Sequence, residues 1–288
     1  MSEKKILEYK ISFSEFSTYL QCPHKWYLSY CLKMPTDYSE ELIFGSAVHH
    51  TIEDILSKSY FQRQTSWEPL FKGHLKKELE GIKDEQFLKK FSDQGLPLIY
   101  VRKGVELIKR LDFFNRFKEY RIVDIEHRLD NFPILEVDDI NFFFKGYIDL
   151  VLQHKKTDDY VIIDWKTSGK EWDIMKKMKD DENLYAQLGL YKLFFAKKNH
   201  IPLSKIEGFY YNLPRSNPKA QQKYTGILNL SYLKFLFQKF QDICEEISEI
   251  DPYNLNKIKF ISKKNYCHRC NFNTEKLCND SDEHQLIM

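Results

Sequence analysis

The segment YVIIDWKTSGK, residues 160–170, constrains the fold of this chain more than any other stretch. It opens with a run of apolar, β-branched residues, which is typical of a strand in the interior of a sheet. Asp164 and Lys166 follow at once, and side chains two positions apart on a strand project from the same face. The sequence therefore predicts an interior strand whose end carries a carboxylate and an ammonium side by side.

Further strands and helices are predicted on both sides of this segment. Turn-like Asp, Asn and Lys clusters separate three runs that predict a meander of strands: RIVDIEHRLD, INFFFKGYIDLVLQ and DYVIIDWKTS. A helix, two strands and a helix are predicted after them: ENLYAQLGLYKLFFAKKN, KIEGFYYNLP, KYTGILNL and SYLKFLFQKFQDICEEISEI. The predicted fold class is α/β, with a central mixed sheet flanked by helices.

Helical patterns dominate the chain before residue 121. Residues 12–32 begin with a serine cap and carry aromatics at helical spacing, and a proline after Cys22 divides them into two short helices. The segment GSAVHHTIEDILSKSY, which begins at Gly45, is amphipathic. Residues 60–120 predict a helical insertion or subdomain. We interpret residues 1–288 as a single domain.

Charge and hydropathy restrict the functional classes only loosely. Forty-four Lys and Arg against 42 Asp and Glu leave a net charge of +2, which gives no global argument for binding nucleic acid and leaves room for a local basic groove. The sequence lacks an apolar run of about 18 residues, and MSEKKILEYK lacks the apolar core of a signal peptide. We expect a cytoplasmic protein without a membrane partner, encoded by a bacterium, an archaeon or a virus.

A second aspartate precedes the Asp164–Lys166 pair. Asp149 ends the motif GYID, and a hairpin with its turn near residues 154–159 would bring both aspartates to the same end of the sheet. Paired carboxylates suit a hard divalent cation such as Mg²⁺, and Lys166 could orient a water or stabilise phosphoryl charge. A surface salt bridge at the end of a strand is the alternative, and these residues alone leave it open.

Four motifs in this order resemble the PD-(D/E)xK nuclease superfamily, in its RecB-like branch: GSAVHHTIED, GYID, IIDWKTS and YAQLGLYKLFF. The resemblance implies a restriction-endonuclease-like core. It also implies that one or two Mg²⁺ or Mn²⁺ ions are bound by His49, Asp149, Asp164 and the backbone carbonyl of Trp165.

The same resemblance gives roles to other residues. Lys166 would serve the attacking water, and Gln187 and Tyr191, four apart on one helix face, would position the nucleic-acid strand. Glu126 matches an acidic position on the preceding strand. Without the other motifs, His49 and Tyr191 would read as an ordinary helix residue and an ordinary core residue.

The cysteines suggest a second metal centre. Cys267, Cys270 and Cys278 lie in YCHRCNFNTEKLC, and C-x-x-C places two thiolates within reach of one metal. Six cysteines in a cytosolic chain are poor candidates for disulfides. A site of four thiolates needs one more ligand, for which Cys22 and Cys31 are the candidates in the N-terminal segment.

The segment YLQCPHKWYLSY around Cys22 resembles the first cluster motif of iron–sulfur nucleases, which include the CRISPR-associated exonuclease family and AddB-type helicase–nuclease subunits. The resemblance implies a [4Fe–4S] cluster on Cys22, Cys267, Cys270 and Cys278. The last spacing is longer than is usual in that family. Structural Zn²⁺ is the alternative, with His24 or His268 able to replace a thiolate. Either centre would join residue 22 to residues 267–278.

Together these features predict a metal-dependent DNA exonuclease, acting on single strands or DNA ends in recombination, repair, replication or CRISPR adaptation. The sequence lacks a G-x-x-x-x-G-K-[ST] loop, so unwinding would need a helicase or recombination partner. A structure-specific endonuclease and a non-catalytic DNA-binding subunit are the alternatives. Tyr210 and Tyr211 could offer stacking surfaces. Basic residues that could line the path of the strand are Lys170, Lys176, Lys177, Arg215, Lys219 and Lys223.

Overall fold

A computed structural model describes the following residues: 7–35, 38–58, 67–111, 113–170, 185–217, 219, 222–225, 228–250, 267 and 270–273. These residues belong to two compact units. The first lies within Met1–Asp37, Leu129–Gly146 and Asn229–Met288, and the second within Tyr38–Arg128 and Tyr147–Leu228.

In chain order the described elements are β1 (Leu7–Ser12), α1 (Phe13–Gln21), α2 (Pro23–Trp26), a π-helical turn (Tyr27–Cys31), α3 (Glu40–Ser57), α4 (Trp67–Glu80), α5 (Glu85–Asp93), α6 (Leu96–Lys109), α7 (Phe113–Arg116), β2 (Tyr120–Arg128), β3 (Pro133–Val137), β4 (Ile140–Lys145), β5 (Tyr147–His154), β6 (Tyr160–Ser168), α8 (Ala186–Asn199), a 3₁₀ turn (Leu203–Lys205), β7 (Ile206–Pro214), β8 (Gln222–Thr225) and α9 (Leu230–Ser248). The predicted mixture of helices and strands is confirmed.

The second unit is built on a five-stranded mixed sheet in the order β2-β5-β6-β7-β8. Strands β6 and β7 run parallel, with α8 between them in the chain, and the other neighbouring pairs are antiparallel. The central mixed sheet predicted from the sequence is therefore present. Its middle strand is β6, the strand that carries Asp164 and Lys166.

The apolar run of β6 is buried because both faces of the strand are covered. Ile163 and Trp165 lie in one hydrophobic core with Phe44 and Val48 of α3. On the alternate face, Ile162 is also fully buried. This double burial is what an uninterrupted apolar run requires of a strand, and it fixes β6 between helices.

The first unit contains a three-stranded sheet in the order β1-β4-β3, in which β1 and β4 are parallel. Helix α1 begins at a serine cap as predicted, since Oγ of Ser12 accepts a hydrogen bond from the amide of Glu15 at 3.1 Å. The helix ends at Cys22, and Pro23 opens α2, where proline is tolerated because the first helical amides lack intrahelical partners.

One strand prediction is wrong. INFFFKGYIDLVLQ was expected to form a single strand, but it forms β4 and β5, which belong to different sheets and are separated by Gly146. A lone glycine inside an apolar run does not distinguish a bend from a weakened strand. Strands β2, β5 and β6 are neighbours and antiparallel as the meander predicted, although β3 and β4 intervene in the chain.

None of the described helices combines the length and the apolarity that crossing a lipid bilayer requires.

Candidate active site

The candidate site lies where β5 and β6 stop pairing. Their ladder runs from Gln153 and Tyr160 to Leu150 and Ile163, whereas β6 continues beside β7 as far as Ser168. Beyond the ladder, the amide of Trp165 donates to Oδ2 of Asp149 at 2.7 Å. The carboxylate of Asp149 therefore lies in the opening between two strands that carry the predicted aspartates.

His49 of α3 reaches the same carboxylate. Its Nδ1 lies 3.5 Å from Oδ2 of Asp149. Burial lowers the pKa of His49, but the carboxylate of Asp149 outweighs burial and leaves that pKa above its usual value. Conversely, burial raises the pKa of Asp149, but His49 and Lys166 outweigh it and hold that pKa below its usual value. The two side chains therefore form an ion pair when His49 is protonated.

Gly45 allows α3 to approach β6 closely, one turn before His49. A Cβ atom added at Gly45 would lie 3.0 Å from Oγ1 of Thr167, which is closer than ordinary van der Waals contact. Only a residue without a side chain fits there without a shift of α3 or Thr167. The glycine of the G-x-x-x-H motif thus has a packing role in this chain.

Asp164 and Lys166 project from the same face of β6, as predicted. Oδ2 of Asp164 lies 2.7 Å from Nζ of Lys166, with 3% of the Asp164 side chain and 33% of the Lys166 side chain exposed. In the part of the chain that the structure describes, this oxygen has no well-formed hydrogen bond. Burial raises the pKa of Asp164 to about 6, against the opposing effect of the Lys166 ammonium.

Helix α8 brings Gln187 and Tyr191 to the lysine. Nζ of Lys166 donates to Oε1 of Gln187 at 2.8 Å, and Nε2 of Gln187 donates to the hydroxyl of Tyr191 at 3.0 Å. Tyr191 is buried, and burial raises the pKa of its hydroxyl. Gln187 thus links Lys166 to Tyr191. The expected role of Gln187 and Tyr191 in positioning a nucleic-acid strand stays a prediction.

Two further carboxylates lie beside the aspartates. Glu126 of β2 has a left-handed backbone with φ of 55°, which is uncommon for a residue with a side chain. Burial, followed by the charges of Asp149 and Glu53, raises the pKa of Glu126 to about 8. The sequence interpretation missed Glu53, although it lies one helical turn after His49, a spacing that places both on one face of α3.

Other residues singled out from the sequence lie in different surroundings. Tyr210 and Tyr211 are buried, so neither ring offers a stacking surface as it stands, and that expectation is wrong. Arg215 lies against the rings of Phe44 and Tyr100 instead of projecting into solvent. Lys170 and Lys219 are exposed. Outside the described residues lie Lys176, Lys177 and the side chain of Lys223.

The cysteines that the structure describes lie in the first unit. Sγ of the buried Cys22 accepts a hydrogen bond from the amide of Lys25 at 3.4 Å and caps α2. The amide of Cys270 donates to the carbonyl of Cys267 at 3.1 Å, which closes a turn. Cys278 lies outside the described residues, as does His268.

Within the described ranges, no three His, Cys, Asp or Glu side chains are arranged so that they could hold a metal ion. The aspartates are instead paired with His49 and Lys166. The donor chemistry nevertheless suits a hard divalent cation, because Asp149, Asp164 and Glu126 carry carboxylate oxygens, the ligands that such a cation prefers.

A model of a known protein family matches most of the chain. The sequence model of the PD-(D/E)XK nuclease superfamily matches residues 10–278, which include every residue of the candidate site. The mixed α/β architecture fits the restriction-endonuclease-like fold of that superfamily. A search of curated proteins finds no match to the chain. The RecB-like branch and the iron–sulfur relatives stay predictions.

Proposed function

Because the chain belongs to the PD-(D/E)XK nuclease superfamily, we propose that it is a metal-dependent exonuclease that degrades DNA from free ends or as single strands. The family implies a metal-dependent nuclease with DNA as its substrate. The observation that carries the proposal is the meeting of His49, Asp149, Asp164 and Lys166 where β5 and β6 stop pairing.

The residues divide into two tasks. A Mg²⁺ or Mn²⁺ ion would be held by His49, Asp149, Asp164 and the carbonyl of Trp165, and when bound it would activate water and shield phosphate charge. Lys166 presents an ammonium on the same side as Asp164, so it can orient the attacking water or stabilise charge on the phosphoryl oxygens.

The preference for free ends rests on the resemblance to the iron–sulfur nucleases. A structure-specific endonuclease would use the same residues on an internal phosphodiester. A non-catalytic DNA-binding subunit is the least compatible alternative, because His49, Asp149, Asp164 and Lys166 are all present and lie together in pairs. Unwinding of a duplex would come from a helicase or recombination partner.

The test is digestion of 5′- and 3′-labelled DNA, single- and double-stranded, linear and circular, with Mn²⁺. The proposal expects linear single strands to be shortened from an end while circles stay intact. Cleavage of circles would show the endonuclease, and stable substrates under all conditions would overturn nuclease function. Asp164→Ala should abolish activity. Asp159→Asn is the control, because Asp159 precedes β6 and pairs with Lys205 at 3.0 Å.

We further propose that Cys22, Cys267, Cys270 and Cys278 hold a [4Fe–4S] cluster, with structural Zn²⁺ as the alternative. Support comes from the turn that joins Cys267 to Cys270 and from the resemblance of the N-terminal motif. Anaerobically purified protein should contain stoichiometric iron and sulfide. Stoichiometric zinc in colourless protein would instead indicate a closed zinc site. Cys22→Ser should lose the metal, and Cys31→Ser should keep it.

A further inference from the structure

Lys166 is enclosed by three groups of different chemistry. Its Nζ lies 2.7 Å from Oδ2 of Asp164, donates to Oε1 of Gln187 at 2.8 Å and lies 5.3 Å from the centroid of the Tyr210 ring. An ammonium has three donor hydrogens and no acceptor. Lys166 thus has a carboxylate, a hydrogen-bond acceptor and an aromatic face as neighbours, each of which suits an ammonium.

The aromatic wall of this enclosure is itself fixed in place. Tyr210 lies on β7 directly beside Asp164 of β6, so both side chains project from the same face of the sheet. Its ring is stacked on Tyr185, with centroids 6.2 Å apart and planes at 21°. Tyr210 is only 2% exposed. The ring is thus packed against a second aromatic residue.

We propose that Tyr210 is a positioning residue that fixes the ammonium of Lys166 beside Asp164. The proposal rests on the proposed nuclease function and deepens it. A lysine ammonium sits at the end of a flexible four-carbon stem, and an ammonium lies favourably over the negative face of an aromatic ring. The ring would act through the lysine, because Tyr210 is buried whereas one third of the Lys166 side chain is exposed to solvent.

Steady-state kinetics distinguish a positioning ring from a ring that merely packs. Tyr210→Phe keeps the aromatic face, so its kcat should stay within about twofold of the unchanged protein. Tyr210→Leu removes the face, and its kcat should fall about tenfold because a misplaced catalytic group loses rate. KM should change little, since Tyr210 is buried. The proposal would be overturned if the Leu variant had the kcat of the unchanged protein, or if kcat fell equally in both variants.

A second measurement does not depend on nuclease activity. A small amine-selective reagent modifies exposed lysines, and peptide mass spectrometry gives the rate at Lys166 in the absence of DNA. Tyr210→Leu should be modified several-fold faster at Lys166, and Tyr210→Phe at the rate of the unchanged protein. Lys170, exposed just beyond β6, is the internal control and should react equally in all variants.

The kinetics and the lysine modification together distinguish failure of the proposed nuclease function from failure of the proposed role of Tyr210. An unchanged protein that cleaves no DNA but shows ring-dependent modification of Lys166 would overturn the proposed function alone. Modification at one rate in all variants would overturn the role of Tyr210, whatever the activity. Circular dichroism checks that each variant is folded. Should Tyr210→Leu not fold, Tyr210→Met replaces it, because methionine fills irregular space without an aromatic face, and the same outcomes decide.

Discussion

The backbone amide of Trp165 donates to Oδ2 of Asp149 at 2.7 Å, at the point where β5 and β6 cease to pair. The carboxylate of Asp149 thus accepts a hydrogen bond that a backbone carbonyl would accept within the β5–β6 ladder. The amide of Trp165, on a buried strand, therefore has a partner. The same oxygen lies 3.5 Å from Nδ1 of His49. Asp149 therefore has a structural role as an acceptor and an electrostatic role as an anion, and substitutions can separate them.

Asp149→Asn keeps an acceptor for the Trp165 amide but removes the charge. Asp149→Ala removes both. We expect both variants to lose at least about a hundredfold in nuclease rate, because the anion that pairs with His49 is gone. The Ala variant should be less stable than the Asn variant by about 1–3 kcal/mol, the cost of a buried donor without a partner. Urea denaturation in a chelator measures this difference, and equal stabilities would contradict the structural role.

Gly45 and Thr167 offer a test of how α3 sets the site. Gly45→Ala would place a Cβ 3.0 Å from Oγ1 of Thr167 and should push α3, and His49 with it, away from Asp149. We expect the nuclease rate to fall about tenfold. Thr167→Ala, which removes Oγ1, should restore most of the rate when combined with Gly45→Ala. Full activity in the single Gly45→Ala variant would show that the close approach is not required.

Glu126 gives a prediction on pH and stability. Its pKa is raised to about 8 in the folded protein, by burial and then by Asp149 and Glu53, so the folded state binds this proton more tightly than the unfolded state does. The resulting stabilisation is complete below the unfolded pKa of about 4.3 and is lost as pH rises through about 8.

Glu126→Gln should therefore be the more stable protein in alkaline solution. The gain over the unchanged protein should be near zero at pH 4 and grow to about 1–3 kcal/mol above pH 8 in the presence of a chelator, a range that allows for partial solvent screening. Urea denaturation at pH 4, 7 and 9 measures it. A gain that does not vary with pH would show that the Glu126 carboxyl titrates normally.

Local patterns were sufficient to predict much of the site. The apolar run before Asp164 and the spacing to Lys166 place both residues on one face of a strand, because side-chain direction in a strand alternates regularly. Asp149 on the preceding hairpin strand follows from the same regularity. The order of the four motifs then predicted that His49 and Gln187 belong to the site, although neither residue is adjacent to β6 in the chain.

Features that depend on contacts between distant parts of the chain could not be predicted from the sequence. Gly146 divides a continuous apolar run between two sheets. That division depends on partner strands elsewhere in the chain, β1 and β3 for β4 and β2 and β6 for β5. Tyr210 looks like an exposed aromatic next to basic residues, yet it is buried under Tyr185. Glu53 carries no motif of its own, and burial raises its pKa, with opposing effects from His50 and His49 of its own helix and from Asp149 of β5.

The crossing of α4 and α6 provides the last prediction, which concerns stability alone. A Cβ atom added at Gly104 of α6 would lie 2.2 Å from Cζ of Phe71 of α4, and Phe71 is fully buried. Neither helix can yield without disturbing the core that also holds α3. Gly104→Ala should therefore destabilise the protein by about 1–3 kcal/mol, as overpacking does, despite the higher helix propensity of alanine.

Gly73 of α4 is the matched control, because the Cβ that alanine would add there has no described atom within 4 Å apart from those of its chain neighbours and of the backbone of its own helix. Gly73→Ala should stabilise the protein by about 0.5–1 kcal/mol, the ordinary difference in helix propensity between glycine and alanine. Thermal and urea denaturation of the two variants should thus shift in opposite directions. Equal shifts would mean that Phe71 moves aside at little cost and that the close approach of α6 to α4 does not depend on glycine.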